Sequence, residues 1–260
     1  MKTVMELYDF NGKTAFITGA SGGLGEQFAR CLSAAGARVI IASRRIDKLK
    51  KIAEDLGNAK AVALDVADKK SVENGFAALE KAGETIDICV NNAGIAKLTP
   101  IFDEDENNDF ESTVQTNLMG VWYVTKAAAW HMKRHNIHGS IINIGSVNGD
   151  GVPAVGGCAY SISKAAVIHL TKTLVSELSA QKIRINCISP GWFRTSMISS
   201  SIDQITPHIP YGKIANPADM DGLILYLSSN EASRYVTGSC FTIDGGLSAA
   251  GFGSVKEKES

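Results

Sequence analysis

No sign of charge predominates in this chain: 26 lysines and arginines stand against 27 aspartates and glutamates, a formal net charge of −1. That leaves no basic excess for gripping a nucleic-acid backbone. Hydrophobic residues make up 45% of the 260 positions, yet no apolar run approaches the roughly 18 residues of a membrane span. Met1 to Phe10 holds no apolar stretch of the kind that directs export. Cysteine is sparse and odd in number: Cys31, Cys89, Cys158, Cys187 and Cys240 lie scattered among mostly apolar or small residues. This argues against a disulfide framework and a cysteine-based metal cluster, and for reduced thiols in the cytoplasm. No internal repeat or second compositional block interrupts the chain. The expectation is one soluble α/β domain over residues 1–253, free of membrane and nucleic-acid partners, with a charged, frayed tail at 254–260.

What is present is a regular alternation of short β-favouring runs with helical patterns. Thr14 to Thr18 is apolar and β-favouring, and it runs into a glycine-rich turn before a helical stretch through Ala35. Arg38 to Ser43 reads as the next strand, completing a right-handed βαβ unit. The rhythm continues through strands at Ala59–Leu64, Ile86–Val90, Ser140–Ile144, Ile183–Ile188 and Cys240–Ile243. Between them fall helices near Lys69–Ala82, Asp105–Thr116, Gly120–His135 and Ala159–Ala180, and one opened by Asn216-Pro217 and running through Leu227. Such alternation predicts a doubly wound parallel sheet. A glycine-rich turn between strand and helix brings the backbone close to a pyrophosphate, held by the N–H groups of the helix start. A plain tight turn is the alternative.

Tyr160 and Lys164 stand four apart on a helical stretch and so share a face. A cation beside a phenol favours the phenolate, so the pair is expected to exchange protons near neutral pH. Ser146 follows the Ser140–Ile144 strand, at the carboxyl end where open α/β sheets place their sites. It also reads as an ordinary turn residue, and Asn117 as a residue that caps or kinks its helix. His131 and His135 have the i, i+4 spacing of paired metal ligands, but Lys133 and Arg134 intervene and no acidic partner is apparent nearby, so no metal is expected. The segment after Gly191, with Trp192, Phe193, Met197, Ile198, Ile202, Ile205 and Ile209, is apolar enough for an oligomer contact or core.

Taken in order, Thr18-Gly19-Ala20-Ser21-Gly22-Gly23-Leu24-Gly25, Asn91-Asn92-Ala93-Gly94, Asn117, Ser146, Tyr160-x-x-x-Lys164 and Pro190-Gly191-x-x-x-Thr195 resemble the short-chain dehydrogenase/reductase family over almost the whole chain. The resemblance implies a Rossmann-like single domain, commonly a homotetramer, acting on a small carbonyl or alcohol substrate. It implies catalytic roles for Asn117, Ser146, Tyr160 and Lys164: Tyr160 protonates the nascent alkoxide, Lys164 lowers its pKa and holds the nicotinamide ribose, Ser146 polarises the carbonyl, and Asn117 anchors a water leading to Lys164. It places Gly19, Ser21, Gly22, Gly23, Leu24 and Gly25 at the cofactor, with Asp65 and Val66 at the adenine, Pro190, Gly191 and Thr195 at the nicotinamide, and Ala93 close by. Asn91, Asn92 and Gly94 would brace the sheet beneath, with Asn91 also open to a cofactor contact. The segment after Gly191 would lid the substrate.

Cofactor choice turns on the end of the second strand, where an acid would bond the ribose 2′-hydroxyl of NAD. Here Ser43 is followed by Arg44 and Arg45, guanidinium groups suited to a 2′-phosphate. NADP(H) is therefore expected over NAD(H), the alternative being that Arg44, Arg45, Lys48, Lys50 and Lys51 form a solvated helix face. The expected reaction is reduction of a ketone or oxo group, run reversibly as an alcohol dehydrogenase. A 3-oxoacyl thioester on acyl carrier protein or CoA, and a sugar or polyol, remain alternative substrates. Lys133 and Arg134 favour the thioester, whereas Ser176, where acyl-carrier reductases usually carry arginine, counts against it. A non-catalytic NADP-binding sensor is the contrasting class.

Overall fold

A computed structural model describes residues 2–102, 109–152, 154–195 and 205–250. Seven parallel strands form one sheet in the order β3-β2-β1-β4-β5-β6-β7: β1 Thr14–Thr18, β2 Arg38–Ser43, β3 Ala59–Ala63, β4 Ile88–Asn91, β5 Ser140–Ile144, β6 Arg184–Pro190 and β7 Cys240–Ile243. The helices are α1 Val4–Leu7, α2 Gly23–Ala34, α3 Ile46–Leu56, α4 Lys69–Lys81, α5 Asp109–Val114, α6 Gly120–Arg134, α7 Cys158–Thr173, α8 Val175–Ser179 and α9 Asp221–Ser228. Strand alternation divides the core into two layers. Ile17 and Ile41 face Phe28 and Leu32 of α2, Leu49 of α3 and Ile224 of α9. Phe16 and Ile40 face Phe76 of α4, Val124 and Met132 of α6 and Leu178 of α8. No helix among the described residues is long and apolar enough to cross a membrane.

The chain steps outward from β1 through β2 to β3, then returns to place β4 against the other side of β1. Diverging connections leave a crevice there, at the carboxyl ends of β1 and β4. Three departures from the expected elements have identifiable causes. The helix expected over Ala159–Ala180 breaks at Leu174, after Thr171 and Thr173 turn their hydroxyls back onto the carbonyls of Val167 and Leu170 at 2.9 and 3.0 Å, an alternative bonding that bends helices. Between α5 and α6, Gln115–Met119 forms a wide turn in which the Gly120 N–H bonds the Gln115 carbonyl, five residues back; such bulges recur at functional sites, and this one contains Asn117. The Asn216-Pro217 start begins with a 3₁₀ turn, Pro217–Met220, before α9. The helix start expected at Asp105 and the 254–260 tail lie outside the described residues.

Candidate active site

The glycine-rich turn links β1 to α2 and forms one wall of the crevice. Gly19 adopts φ +66°, and a Cβ there would sit 2.7 Å from Ala93 Cα, so only glycine lets the turns after β1 and β4 approach this closely. Gly25 allows equally close packing, since its Cβ would fall 2.5 Å from the Gly19 carbonyl oxygen. Gly22 caps α2 without a side-chain hydrogen bond, leaving the first N–H groups of that helix to an anionic ligand. Thr18 Oγ1 accepts the N–H groups of Asn92 and Ala93 at 3.1 Å each, and Asn92 Nδ2 donates to the Thr18 carbonyl at 3.1 Å. These bonds fasten the stretch after β4 to the turn.

Asn91 lies elsewhere than a cofactor contact requires. It is the last residue of β4, buried, and its Nδ2 donates to Thr125 Oγ1 and Asn143 Oδ1, both at 2.8 Å. It braces the sheet, and the next residue along the chain, Asn92, lines the cavity instead. The bracing is as expected; which of the two asparagines also lines the cavity is not revealed by the motif alone, because a one-residue change in strand end reverses which side chain faces the ligand.

At the far end of the cavity, Arg45 Nε donates to Ser21 Oγ at 3.0 Å and the Arg45 N–H to Ser43 Oγ at 3.1 Å. Arg44 is 69% exposed, its nearest acidic atom being Asp65 Oδ2 at 3.9 Å. Asp65 and Val66 follow β3 and line the same end.

The four expected catalytic residues converge at the other end. Ser146 is 5% exposed and receives the Asn148 N–H at 3.2 Å. Tyr160 lies on the first turn of α7, and Lys164, one turn on, donates to the Ile144 carbonyl at 2.8 Å. The phenol does not become the lowered-pKa acid expected from its spacing to Lys164. Burial pushes Tyr160 up, with a hydrogen bond to Ser146 pulling weakly against it. Lys164 Nζ lies over the ring, 5.7 Å from its centroid, with its bond committed to a carbonyl. At neutral pH Tyr160 is thus a protonated donor. Asn117, fully buried, binds both backbone groups of Ile95 at 2.8 Å and donates to Ser163 Oγ at 3.1 Å. A Cβ on Gly94 would fall 3.2 Å from Asn117 Oδ1 and 3.5 Å from Lys164 Nζ, so glycine preserves the space between the two groups.

Burial also lowers Lys164 from 10.5 to about 8. Below that pH the ammonium is charged in both the folded and unfolded chain, and only the folded chain bears the desolvation cost. As pH rises from about 8 towards 10.5, the folded chain releases its proton first, and stability rises because the unfolded chain then binds more protons. Lys164→Met should therefore stabilise the cofactor-free protein at pH 7. The ceiling is about 3 kcal/mol, less about 1 kcal/mol for the lost bond to Ile144. Denaturant melts at pH 7 and pH 9.5 test this: the gain should shrink at the higher pH, and a variant less stable than wild type at pH 7 would refute it.

Pro190, Gly191, Trp192 and Thr195 close the cavity beyond β6. Gly191 is held by its N–H to the Ile243 carbonyl at 2.9 Å, and Thr195 Cγ2 lies 3.4 Å from the position a Cβ would take on Gly23. Ile205 also lines the wall, while Met197, Ile198 and Ile202 lie outside the described residues. The cavity encloses about 690 Å³ and runs from Arg44 and Arg45, past the open N-terminus of α2, to Tyr160. A dinucleotide fits this layout: bare N–H groups for the pyrophosphate in the middle, guanidinium groups at one end, and a proton donor at the other. Sequence reasoning missed Asn148, Ile95 and Leu98, which also line the cavity: Asn148 sits in a three-residue 3₁₀ turn, too short to carry a pattern, and the other two in a stretch outside any helix or strand.

Fold and site together define an oxidoreductase, and the chain belongs to the short-chain dehydrogenase/reductase family. The family model described as enoyl-(acyl carrier protein) reductase matches residues 19–248. Among curated relatives, the oxidoreductase UcpA of Salmonella typhimurium is 39% identical over 252 residues, covering 90% of this chain and 94% of that protein. The ribulose-forming D-arabinitol 2-dehydrogenase of Candida tropicalis is 32% identical, covering 94% and 95%. Among solved structures, a gluconate 5-dehydrogenase from Burkholderia cenocepacia in complex with NADP and tartrate superposes with a TM-score of 0.88 at 32% identity, covering 95% of this chain and all of that one.

Proposed function

We propose that this chain is an NADP(H)-dependent dehydrogenase/reductase that interconverts a ketone and a secondary alcohol, with Tyr160 as the general acid and base. The observation carrying this reading is the convergence of Ser146, Tyr160 and Lys164 on one end of a cavity whose other end holds Arg44 and Arg45. Gly22 to Leu24 at the start of α2 would hold the pyrophosphate, and Thr195, Pro190 and Gly191 the nicotinamide end. When bound, the cofactor supplies or accepts the hydride.

Ser146, which lines the same end of the cavity as the phenol, orients a substrate oxygen beside it, and Tyr160 donates its proton to that oxygen as negative charge develops. Lys164 keeps a cation beneath the phenol and steadies the phenolate left behind. Asn117 holds the Ile95 backbone and so fixes the cavity wall opposite α7. The space spared by Gly94 between Asn117 Oδ1 and Lys164 Nζ is where a solvent proton would return to the lysine.

Sugar and polyol relatives support a polyhydroxy substrate, and the gluconate 5-dehydrogenase complex supports NADP as cofactor. The acyl-carrier description of the matching family keeps a 3-oxoacyl thioester as the second reading. A panel of sugar acids, polyols, ketoses and 3-oxoacyl thioesters, followed at the nicotinamide absorbance with NADPH and NADH, decides. Turnover of one ketone or alcohol class, faster with the phosphorylated cofactor, is the expected result. Cofactor binding without turnover on any member would favour the sensor class.

A further inference from the structure

The two histidines that looked unsupported in sequence acquire a carboxylate in three dimensions. His131 and His135 lie one turn apart on α6, and Glu80, near the end of α4, reaches between them. His131 Nδ1 is 2.9 Å from Glu80 Oε2, and His135 Nε2 is 2.9 Å from Glu80 Oε1. One donor atom from each residue lies within 4.8 Å of the other two. Tetrahedral zinc, with bonds of about 2.0–2.1 Å to nitrogen and oxygen, places its ligand atoms roughly 3.3 Å apart, between the 2.9 Å of each histidine–carboxylate contact and the 4.8 Å that bounds the trio.

Two further observations point to a ligand. His131 is 2% exposed, its Nδ1 facing only the Glu80 carboxylate at 2.9 Å and its Nε2 making no hydrogen bond. An imidazole buried on those terms is costly unless something completes it. The cations that stood against a metal are also turned away: Lys133 Nζ and the Arg134 guanidinium lie over the Trp130 ring, 5.2 and 5.9 Å from its centroid. His135 and Glu80 remain about a third exposed, which gives an ion an entry path and leaves room for water as a fourth ligand.

We propose that Glu80, His131 and His135 form a zinc site that joins α4 to α6. Two imidazole nitrogens and one carboxylate oxygen are a borderline donor set that selects zinc over calcium or magnesium, with copper and nickel as competitors. The site lies at the end of α6 that leads into the start of β5, whereas the catalytic cavity opens at the carboxyl ends of the strands, so its role is structural and separate from hydride transfer.

The full-length protein, stripped with a chelator, is titrated with zinc against a chromogenic competitor, and separately with cobalt(II) in the visible range. One zinc per chain is expected, with a raised melting temperature and the strong cobalt absorption of tetrahedral N/O ligation. Because outer-shell losses alone weaken metal binding by about 10- to 100-fold, Glu80→Gln and His135→Ala should each weaken it by at least that much. Both residues are partly exposed, so these variants should fold, with circular dichroism as the check, and cofactor affinity should not change. His169→Ala, on the exposed face of α7, should bind zinc as wild type does. Absence of stoichiometric binding, or equal binding by wild type, Glu80→Gln and His135→Ala, would overturn the assignment.

Discussion

Tyr160→Phe should lower turnover by about 10²- to 10⁴-fold, or about 3–5 kcal/mol of transition-state stabilisation, with cofactor affinity nearly unchanged. The substitution deletes only the oxygen that donates the proton; the ring keeps its place on α7, with Lys164 above its face. The chain should remain folded, since burial already disfavours a charge on this side chain and phenylalanine carries none. The loss should appear in kcat and kcat/KM together, because a proton donated in the transition state contributes little to substrate binding. In wild type, reduction should weaken and alcohol oxidation strengthen as pH rises into the alkaline range, because a phenol raised by burial keeps its proton through neutrality. A Tyr160→Phe variant that turns over at near-wild-type rate, or whose cofactor affinity falls along with its rate, would remove Tyr160 from the proton-transfer role.

The parts of the molecule that follow local rules were readable in the sequence. β5 and β7 fall where β-favouring runs placed them, at Ser140–Ile144 and Cys240–Ile243, because an apolar run bounded by breakers carries its own signal. The Tyr160–Lys164 face was equally readable, since helical spacing alone sets it. Features that depend on partners far along the chain were not. The wide turn around Asn117 rests partly on the Gln115 amide reaching the Ala67 carbonyl at 2.8 Å, 48 residues back. Glu80 meets His131 and His135 only because α4 and α6 pack side by side. The direction of the Tyr160 pKa shift was also hidden: spacing gives a neighbouring cation, but burial decides the sign. Asn91 braces the sheet as expected, but that Asn92 and not Asn91 lines the cavity was hidden, because a strand's exact end is the least predictable part of it.

Arg44→Ala should weaken NADPH binding by about 10- to 150-fold and leave NADH nearly untouched, since a hydrogen bond to a charged group contributes about 1.5–3 kcal/mol and only the phosphate loses a partner. Arg44 is free to make that contact: at 69% exposed and 3.9 Å from Asp65, its ion pair is a surface one, costing at most about 1 kcal/mol to exchange. Arg45 is differently placed. Its Nε already donates to Ser21, so Arg45→Ala should loosen the glycine-rich turn and weaken both cofactors, with NADPH suffering the greater loss. Ser43→Asp should go further than Arg44→Ala, because a carboxylate at the end of β2 repels a 2′-phosphate while accepting the 2′-hydroxyl of NADH. The new carboxylate can still accept the Arg45 N–H that Ser43 Oγ now receives, so the strand end should hold its shape. The measurement is fluorescence titration of both cofactors against wild type and the three variants. If wild type binds NADH and NADPH alike, or if Arg44→Ala loses both in equal measure, Arg44 and its basic neighbours on α3 are a solvated helix face and the phosphate preference falls with them.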